Sequence, residues 1–500
     1  MFKPINVLRT AVVLGVALLV VLQTGCAAPA AKAEPVPVAA EEGEIPITTA
    51  SEEARAVFLE GREMSEHLRT DEAREHFDKA IELDPDFAQA YLYRSFDFTS
   101  DEDLKSHLKQ AVALADKVSE GERLLIQQRK AFWLDNNLGE QLELCKQLAQ
   151  KYPKDKRARN LLGAVYYSRD EDAKAIAELE AAVALDKDYP PPYNVLGYAY
   201  REIGEYEKAE QAFKDYITLI PDEPNPYDSM ADLYMKTGRF EEAIENYQKA
   251  VELDPVFGIS QQKIGTSLVF LGKYDEGREA CKKAIKMEMT PWDQLEDRDM
   301  IVRSYLYEGD YPKAIEATEK LLEAGAEAGL PSWIPYAHLM RSRILKEAGD
   351  LDAAEQSLTE YHLSMEGADF NPYFMDSFAR DALVVEARIA AKRQDFETAL
   401  AKAEDYKAKL EAREDPNTME NYHGLVGMIY FDKDDHEKAI EHFRQSNQEN
   451  AYTLYYHAVA QSKAGNKDEA AKLFKRAALW NEDSYDYAFI RAKALAALKE

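Results

Sequence analysis

Residues 193–222 read YNVLGYAYREIGEYEKAEQAFKDYITLIPD. Tyr193, Leu196, Gly197 and Tyr200 fall at i, i+3, i+4 and i+7, which is one face of a helix. Gly204 ends that helix, because glycine accepts the left-handed backbone that a helix stop requires. A second helix follows with Ala209, Phe213, Tyr216 and Leu219 on one face, and Pro221 stops it. Gly197 and Ala209 are small where two antiparallel helices cross closely. Tyr200 and Phe213 fill the space beside that crossing.

The same pattern recurs every 34 residues between Asp155 and Glu288. Gly163, Gly197, Ala231 and Gly265 keep that spacing, as do Tyr166, Tyr200, Tyr234 and Leu268, and Ala175, Ala209, Ala243 and Gly277. A fixed period of this length is the mark of stacked helix pairs. The pattern resembles the tetratricopeptide repeat family, carried here by Tyr193, Leu196, Gly197, Tyr200, Ala209, Phe213 and Pro221. The next unit repeats it with Tyr227, Met230, Ala231, Tyr234, Ala243, Tyr247, Ala250 and Pro255. The resemblance implies an all-α fold: a right-handed α-solenoid of antiparallel helix pairs whose first helices line a concave groove, closed by a C-terminal capping helix.

An earlier unit is marked by Gly61, Ala73, Phe77, Ala80 and Pro85, and residues 91–153 are helical but degenerate. Beyond Pro291 the spacing loosens, with second-helix alanines at Ala314, Ala354, Ala399, Ala439 and Ala470. Roughly ten or eleven repeats are expected in all. The chain then divides into an array over 51–290, divergent repeats over 291–483 and a capping helix over 484–500. The cap's apolar stripe is expected at Phe489, Ala492 and Ala496. No segment alternates apolar and polar residues for long enough to predict a strand. Trp333, Phe370 and Tyr373 sit in irregular connections, where they either cover the ends of long helices or form a binding patch.

Residues 1–25 have the order of a secretory signal: Lys3 and Arg9, the apolar run Ala11 to Leu22, then Thr24-Gly25 before Cys26. That run is too short to span a bilayer comfortably. The stretch Leu22-Gln23-Thr24-Gly25-Cys26 resembles the processing site of bacterial lipoproteins, with the leucine one place further upstream than is usual. The resemblance implies lipid on Cys26 and stable anchoring by more than one acyl chain. With Ala27 in place of an aspartate, it implies the outer membrane in a Gram-negative host. A plain signal peptide cut near Ala28, or an uncleaved anchor, are the alternatives. Residues 26–50, with Pro29, Pro35, Pro37 and Pro46, read as a semi-extended tether.

Sixty-two basic and 92 acidic residues give a net charge of −30. Such a surface repels phosphate backbones, so nucleic acid is not an expected partner. Cys145 and Cys281 fall in different repeats, with Cys281 at the place of Phe213 and Tyr247, so no disulfide is expected. No glycine-rich phosphate loop, dinucleotide fingerprint or nucleophile elbow is present. His436 and His442 are six apart and lie on nearly opposite helix faces, so they do not pair as metal ligands. Asp434-Asp435 and Asp170-Glu171-Asp172 sit in turns where aspartate caps the next helix. Neither metal nor cofactor is expected.

By register, the groove is faced by Asn160, Tyr167, Asn194, Tyr198, Arg201, Asp228, Asp232 and Gln262. Asn160 and Asn194 hold equivalent places, suited to clamping an extended peptide backbone. Peptide-carboxylate clamps of the family need paired Lys and Arg, and this chain has Asp228 and Gln262 instead. The leading expectation is a non-enzymatic, membrane-tethered scaffold that binds protein or peptide partners. The alternative is a lipoprotein that captures glycans or peptides for nutrient uptake, with Tyr167 and Tyr198 as stacking platforms. An enzyme with a diffuse site between Pro291 and Asn417 is a third reading.

Overall fold

A computed structural model describes residues 36–38, 43–98, 101–255, 257–287, 290–366, 368, 372–411 and 419–499. The signal segment and Cys26 lie outside the described residues. The chain divides into two compact units, residues 1–233 and 234–500.

The first unit begins with two short antiparallel strands, β1 (Val36–Val38) and β2 (Ile47–Thr49), in which Val36 faces Thr49. Hairpins follow: α1 (Glu52–Glu66) with α2 (Thr70–Leu83), α3 (Ala88–Arg94) with α4 (Asp101–Leu114), α5 (Glu120–Trp133) with α6 (Leu138–Lys151), α7 (Lys156–Ser168) with α8 (Asp172–Leu185), and α9 (Pro191–Glu202) with α10 (Tyr206–Leu219). The unit boundary falls inside α11 (Pro224–Lys236).

The second unit continues with α12 (Phe240–Leu253) and the hairpins α13 (Gly258–Phe270) with α14 (Tyr274–Ile285), α15 (Pro291–Glu308) with α16 (Tyr311–Glu327), and α17 (Trp333–Ala348) with α18 (Leu351–Met365). Then come α19 (Pro372–Lys392) with α20 (Phe396–Glu411), α21 (Met419–Asp432) with α22 (His436–Arg444), α23 (Ala451–Lys463) with α24 (Lys467–Ala478), and finally α25 (Tyr485–Ala497). Each unit is an α-solenoid of stacked helix hairpins. In chain order the described residues hold twelve first- and second-helix pairs, more than the ten or eleven expected. The degenerate and loosened stretches keep the architecture while losing the spacing that advertises it.

One crossing builds the hairpins. The small residue of the first helix lies against the residue sixteen positions later on the second. A Cβ placed on Gly163 would lie 2.5 Å from Leu179 Cγ; on Gly265, 2.6 Å from Cys281 Sγ; on Gly427, 2.6 Å from Phe443 Cδ1. Gly61 meets Phe77 and Gly197 meets Phe213 in the same way. Leu179, Phe213 and Phe443 are fully buried, each contributing about 1.5–3 kcal/mol of transfer free energy. The second-helix alanines Ala314, Ala354, Ala399, Ala439 and Ala470 are buried where the spacing places them.

Cys281 stands where Phe213 and Phe443 stand in other repeats, and both small residues of its crossing are glycines. A Cβ on Gly277 would come within 2.8 Å of the Gly265 carbonyl oxygen. Cys145 and Cys281 are both buried and free, and burial pushes the Cys145 thiol up to about 12.

The intra-hairpin turn requires a positive φ. Gly204, Gly238 and Gly272 all adopt +78°. Where glycine is absent the same turn is made by Asp170 at 59°, Gln394 at 65° and Asp434 at 65°. The expected aspartate caps hold in part: Asp435 accepts from the Lys438 amide at 3.2 Å, while Glu171 begins α8 with no side-chain cap.

Three expectations change. First, the chain is not free of strands: β1 and β2 are three residues each, too short to show alternation. Second, the tether assigned to 26–50 does not extend to residue 50, because 43–50 is docked. Thr48 donates its amide and hydroxyl to Glu122 at 2.7 and 2.6 Å, Thr49 and Ala50 bond Asp84, and the Ile45 amide bonds Asp155 at 3.1 Å. Buried carboxylates at the end of α2 and at the starts of α5 and α7 thus satisfy an extended backbone that water would otherwise solvate. Third, α25 is more than an end cap. Its buried residues are Tyr485, Tyr487, Ala488, Phe489, Ile490 and Ala494, whereas Ala492 and Ala496 of the expected stripe are exposed. Trp333 is buried against Trp292 and Tyr336, each ring 5.2 Å away, and so covers helix ends. Phe370 and the Tyr373 side chain lie outside the described residues.

Two substitutions test this packing. Cys281→Phe restores a residue type used at Phe213 but overfills the tight approach of Gly265 to Cys281, so urea denaturation should show a loss of about 1–3 kcal/mol. Gln394→Gly, at an exposed turn position with φ of 65°, should gain about 0.5–1 kcal/mol by relieving left-handed strain.

Candidate functional site

The 34-residue period places Asn160, Asn194 and Asp228 at one level of successive first helices, and Tyr198 and Asp232 a turn further on. In the first unit α7, α9 and α11 carry these side chains, and the structure brings most of them into one network. Asn194 donates to Asn225 Oδ1 at 3.4 Å and accepts from the Ser229 hydroxyl at 3.0 Å. Tyr216 donates its hydroxyl to the same Asn225 oxygen at 3.2 Å. Tyr198 donates to Asp232 at 3.0 Å, its ring meets Phe213 edge-on at 5.2 Å, and the Arg201 guanidinium lies 4.8 Å above it. Arg201 also pairs with Glu202 at 2.8 Å.

Burial, reinforced by Asp232 and Asp228, pushes the Tyr198 phenol well above its ordinary range. Burial likewise raises Tyr167, with Arg201 opposing. Asp228 is buried.

This arrangement corrects two expectations. Tyr198 is not an open stacking platform, because Arg201 covers one face and Phe213 meets the ring. The paired amides do not form a free clamp, because Asn194 is engaged at both ends. Asn160 Oδ1 is buried without a hydrogen-bond partner. Gln262 lies in the second unit, and the other seven candidates lie in the first.

Sequence reading missed a second cluster in the first unit. Arg157 of α7 pairs with Glu66 at the end of α1, and the buried Tyr189 ring receives Lys156 at 4.6 Å. These residues are 91 apart and carry no repeat signal, so only the curvature of the unit brings them together.

In the second unit, burial pushes the Asp297 carboxyl up to about 7, against the pull of the Gln262 amide. The inner side of this unit is covered by the C-terminal segment. Asp483 meets Arg303 at 2.9 Å and accepts from the Tyr307 hydroxyl at 3.0 Å. Asp486 pairs with Arg343 and accepts from Asn450 at 2.9 Å. Further along, Tyr452 of α23 donates to Glu347 of α17 at 2.7 Å, and Lys346 pairs with the same carboxylate at 2.9 Å. His442 turns to His423, Nδ1 to Nδ1 at 3.1 Å, while His436 pairs with Asp434 at 3.0 Å. Among the described residues, no three His, Cys, Asp or Glu side chains are grouped to hold a metal ion, and no helix is long and apolar enough to cross a membrane.

Family models described as tetratricopeptide repeat match residues 69–87, 142–190, 190–223, 229–257, 260–288, 300–372, 421–453 and 452–478, together more than half of the chain. The chain belongs to the tetratricopeptide repeat family. No curated protein matches it. Among solved structures, it is similar to MamA at 25% identity and a TM-score of 0.30, over 34% of this chain and 95% of that one. A tetratricopeptide repeat protein from Parabacteroides merdae aligns at 16% identity and a TM-score of 0.39, over 53% and 98%. YrrB, described as having an unusual peptide-binding site, aligns at 18% identity and a TM-score of 0.29, over 37% and 93%.

Asp297 gives a pH test. A carboxyl whose folded pKa exceeds its unfolded value keeps its proton in the folded chain from about pH 4 to about 7, so stability falls as pH rises through that window. Asp297→Asn should therefore raise the urea midpoint at pH 8 and change it little at pH 4.5.

Proposed function

We propose that this chain is a non-enzymatic scaffold of the bacterial envelope that binds protein or peptide partners along the first helices α7, α9 and α11. The observation that carries the reading is the partly buried polar network of Asn194, Tyr198, Arg201, Ser229 and Asp232, assembled from the two successive first helices α9 and α11. Side chains that tie each other in place present fixed donors and acceptors, so little ordering is needed when a partner docks. Tyr and Arg are also the residue types that dominate binding energy at protein interfaces. The net charge of −30 disfavours nucleic acid and anionic lipid head groups as partners.

The signal-like residues 1–25 and Cys26 support export and a lipid anchor, facing the periplasm or the cell exterior, with the outer membrane favoured in a Gram-negative host. An anchor of this kind holds an acidic protein at a surface that would otherwise repel it.

Partner capture from crosslinked envelopes tests both halves. Arg201→Ala should reduce the recovered partners at least fivefold, while Arg393→Ala on an exposed turn should not. Cys26→Ala should move the chain from the membrane to the soluble fraction. An unchanged partner set with Arg201→Ala contradicts the proposed face, and unchanged membrane partition with Cys26→Ala contradicts the anchor.

A further inference from the structure

The second unit holds a helix in the place a partner would take. Residues 480–491 touch α11, α13, α15, α17 and α23, all first helices, and so cross the inner side of the unit. Three acids lie within five residues of this segment, and each meets a cation from a different first helix: Glu482 with Lys236, Asp483 with Arg303, and Asp486 with Arg343. Aromatic residues alternate with them. Tyr485 donates to the buried carboxylate of Asp299 at 2.5 Å. Tyr487 meets the rings of Phe270 and Tyr307 at 5.8 and 6.1 Å, and Phe489 reaches Tyr452 at 6.5 Å. Arg491 closes the segment by donating to the Phe270 carbonyl at 2.9 Å.

The contact buries Ala488, Phe489, Ile490 and Ala494 as a repeat core would. To that apolar surface it adds ion pairs to Lys236, Arg303 and Arg343 and the Tyr485–Asp299 hydrogen bond, and Arg and Tyr are residue types enriched in protein–protein contacts. Its ion pairs are partly solvated: the side chains of Asp483 and Asp486 are 20% and 28% exposed. Such pairs set orientation and partner choice and hold weakly. Lys236, Arg303 and Arg343 converge on the inner side of a chain whose net charge is −30, so the surface is matched to an acidic segment.

We propose that the inner face of the second unit is a receptor for a helix bearing acidic and aromatic residues along one side, that α25 is its resident occupant, and that a partner helix of this chemistry enters by displacing α25. The proposal deepens the protein-binding reading, but it rests on residues other than Asn194, Tyr198, Arg201, Ser229 and Asp232. The same chain therefore carries its own competitor, and the affinity of the partner is reduced by the fraction of chains in which α25 is docked.

The test uses the full chain and a labelled synthetic peptide of residues 479–500. Asp483→Asn/Asp486→Asn weakens the resident segment and leaves the receiving side chains intact, so this variant should bind the peptide at least tenfold more tightly than the unaltered chain. Raising the salt concentration should weaken that binding. Equal binding to both chains, or none to the variant, overturns the proposal. Hydrogen exchange on the unaltered chain gives an independent reading should the variant misfold. Amides of 485–497 should exchange at least tenfold faster than those of α13 and α15, and equal protection would mark α25 as permanent core and overturn displacement. Neither readout involves Arg201, so failure here leaves the proposed face of the first unit standing.

Discussion

The structure depends on one close approach, seen in five of its hairpins: a glycine on the first helix against a side chain sixteen positions later on the second. Helices that come this near leave no room for a Cβ, and the second-helix residue then fills the crossing. Gly163 with Leu179, Gly197 with Phe213, and Gly427 with Phe443 are three forms of the same joint. Its tolerance is in the pair rather than in either member. Where the large residue shrinks to Cys281, a second glycine stands at Gly277 in place of the usual alanine. Interiors are packed too tightly for one side to change alone.

A joint repeated along the chain fixes where every other side chain points. The residues between the packing positions of the first helices must face the inner side, and there the two units differ. In the first, polar side chains of α9 and α11 bond one another and stand partly buried. In the second, the inner side is filled by α25, whose acids are matched to Lys236, Arg303 and Arg343. Both solutions obey the same requirement, that polar groups withdrawn from water find partners. The second face is covered by a segment of the chain itself.

The repeat was legible because its joint uses residue types that are rare by chance at fixed spacing: glycine, then an aromatic, then glycine at the turn. The second-helix alanines could be placed even where intervals varied, since Ala354 and Ala399 are needed for the same crossing. The docked segment 43–50 was not legible, because Pro35, Pro37 and Pro46 suggest a tether and the carboxylates that hold it, Asp84, Glu122 and Asp155, are spread over 71 residues. The hydrogen bonds that tie Asn194 to Ser229 and Tyr198 to Asp232 were not visible in the spacing. The path of α25 was missed although its sequence held a clue: Tyr485, Tyr487 and Phe489 are more aromatic surface than a polar end cap requires.

The central claim is that the Gly197–Phe213 approach holds its hairpin together as a pair. A double-mutant cycle with Gly197→Ala, Phe213→Leu and the two combined, read by urea denaturation, tests it most directly. The account predicts a coupling of about 1–2 kcal/mol, with Phe213→Leu relieving much of the damage done by Gly197→Ala. Additive effects with no coupling would contradict it.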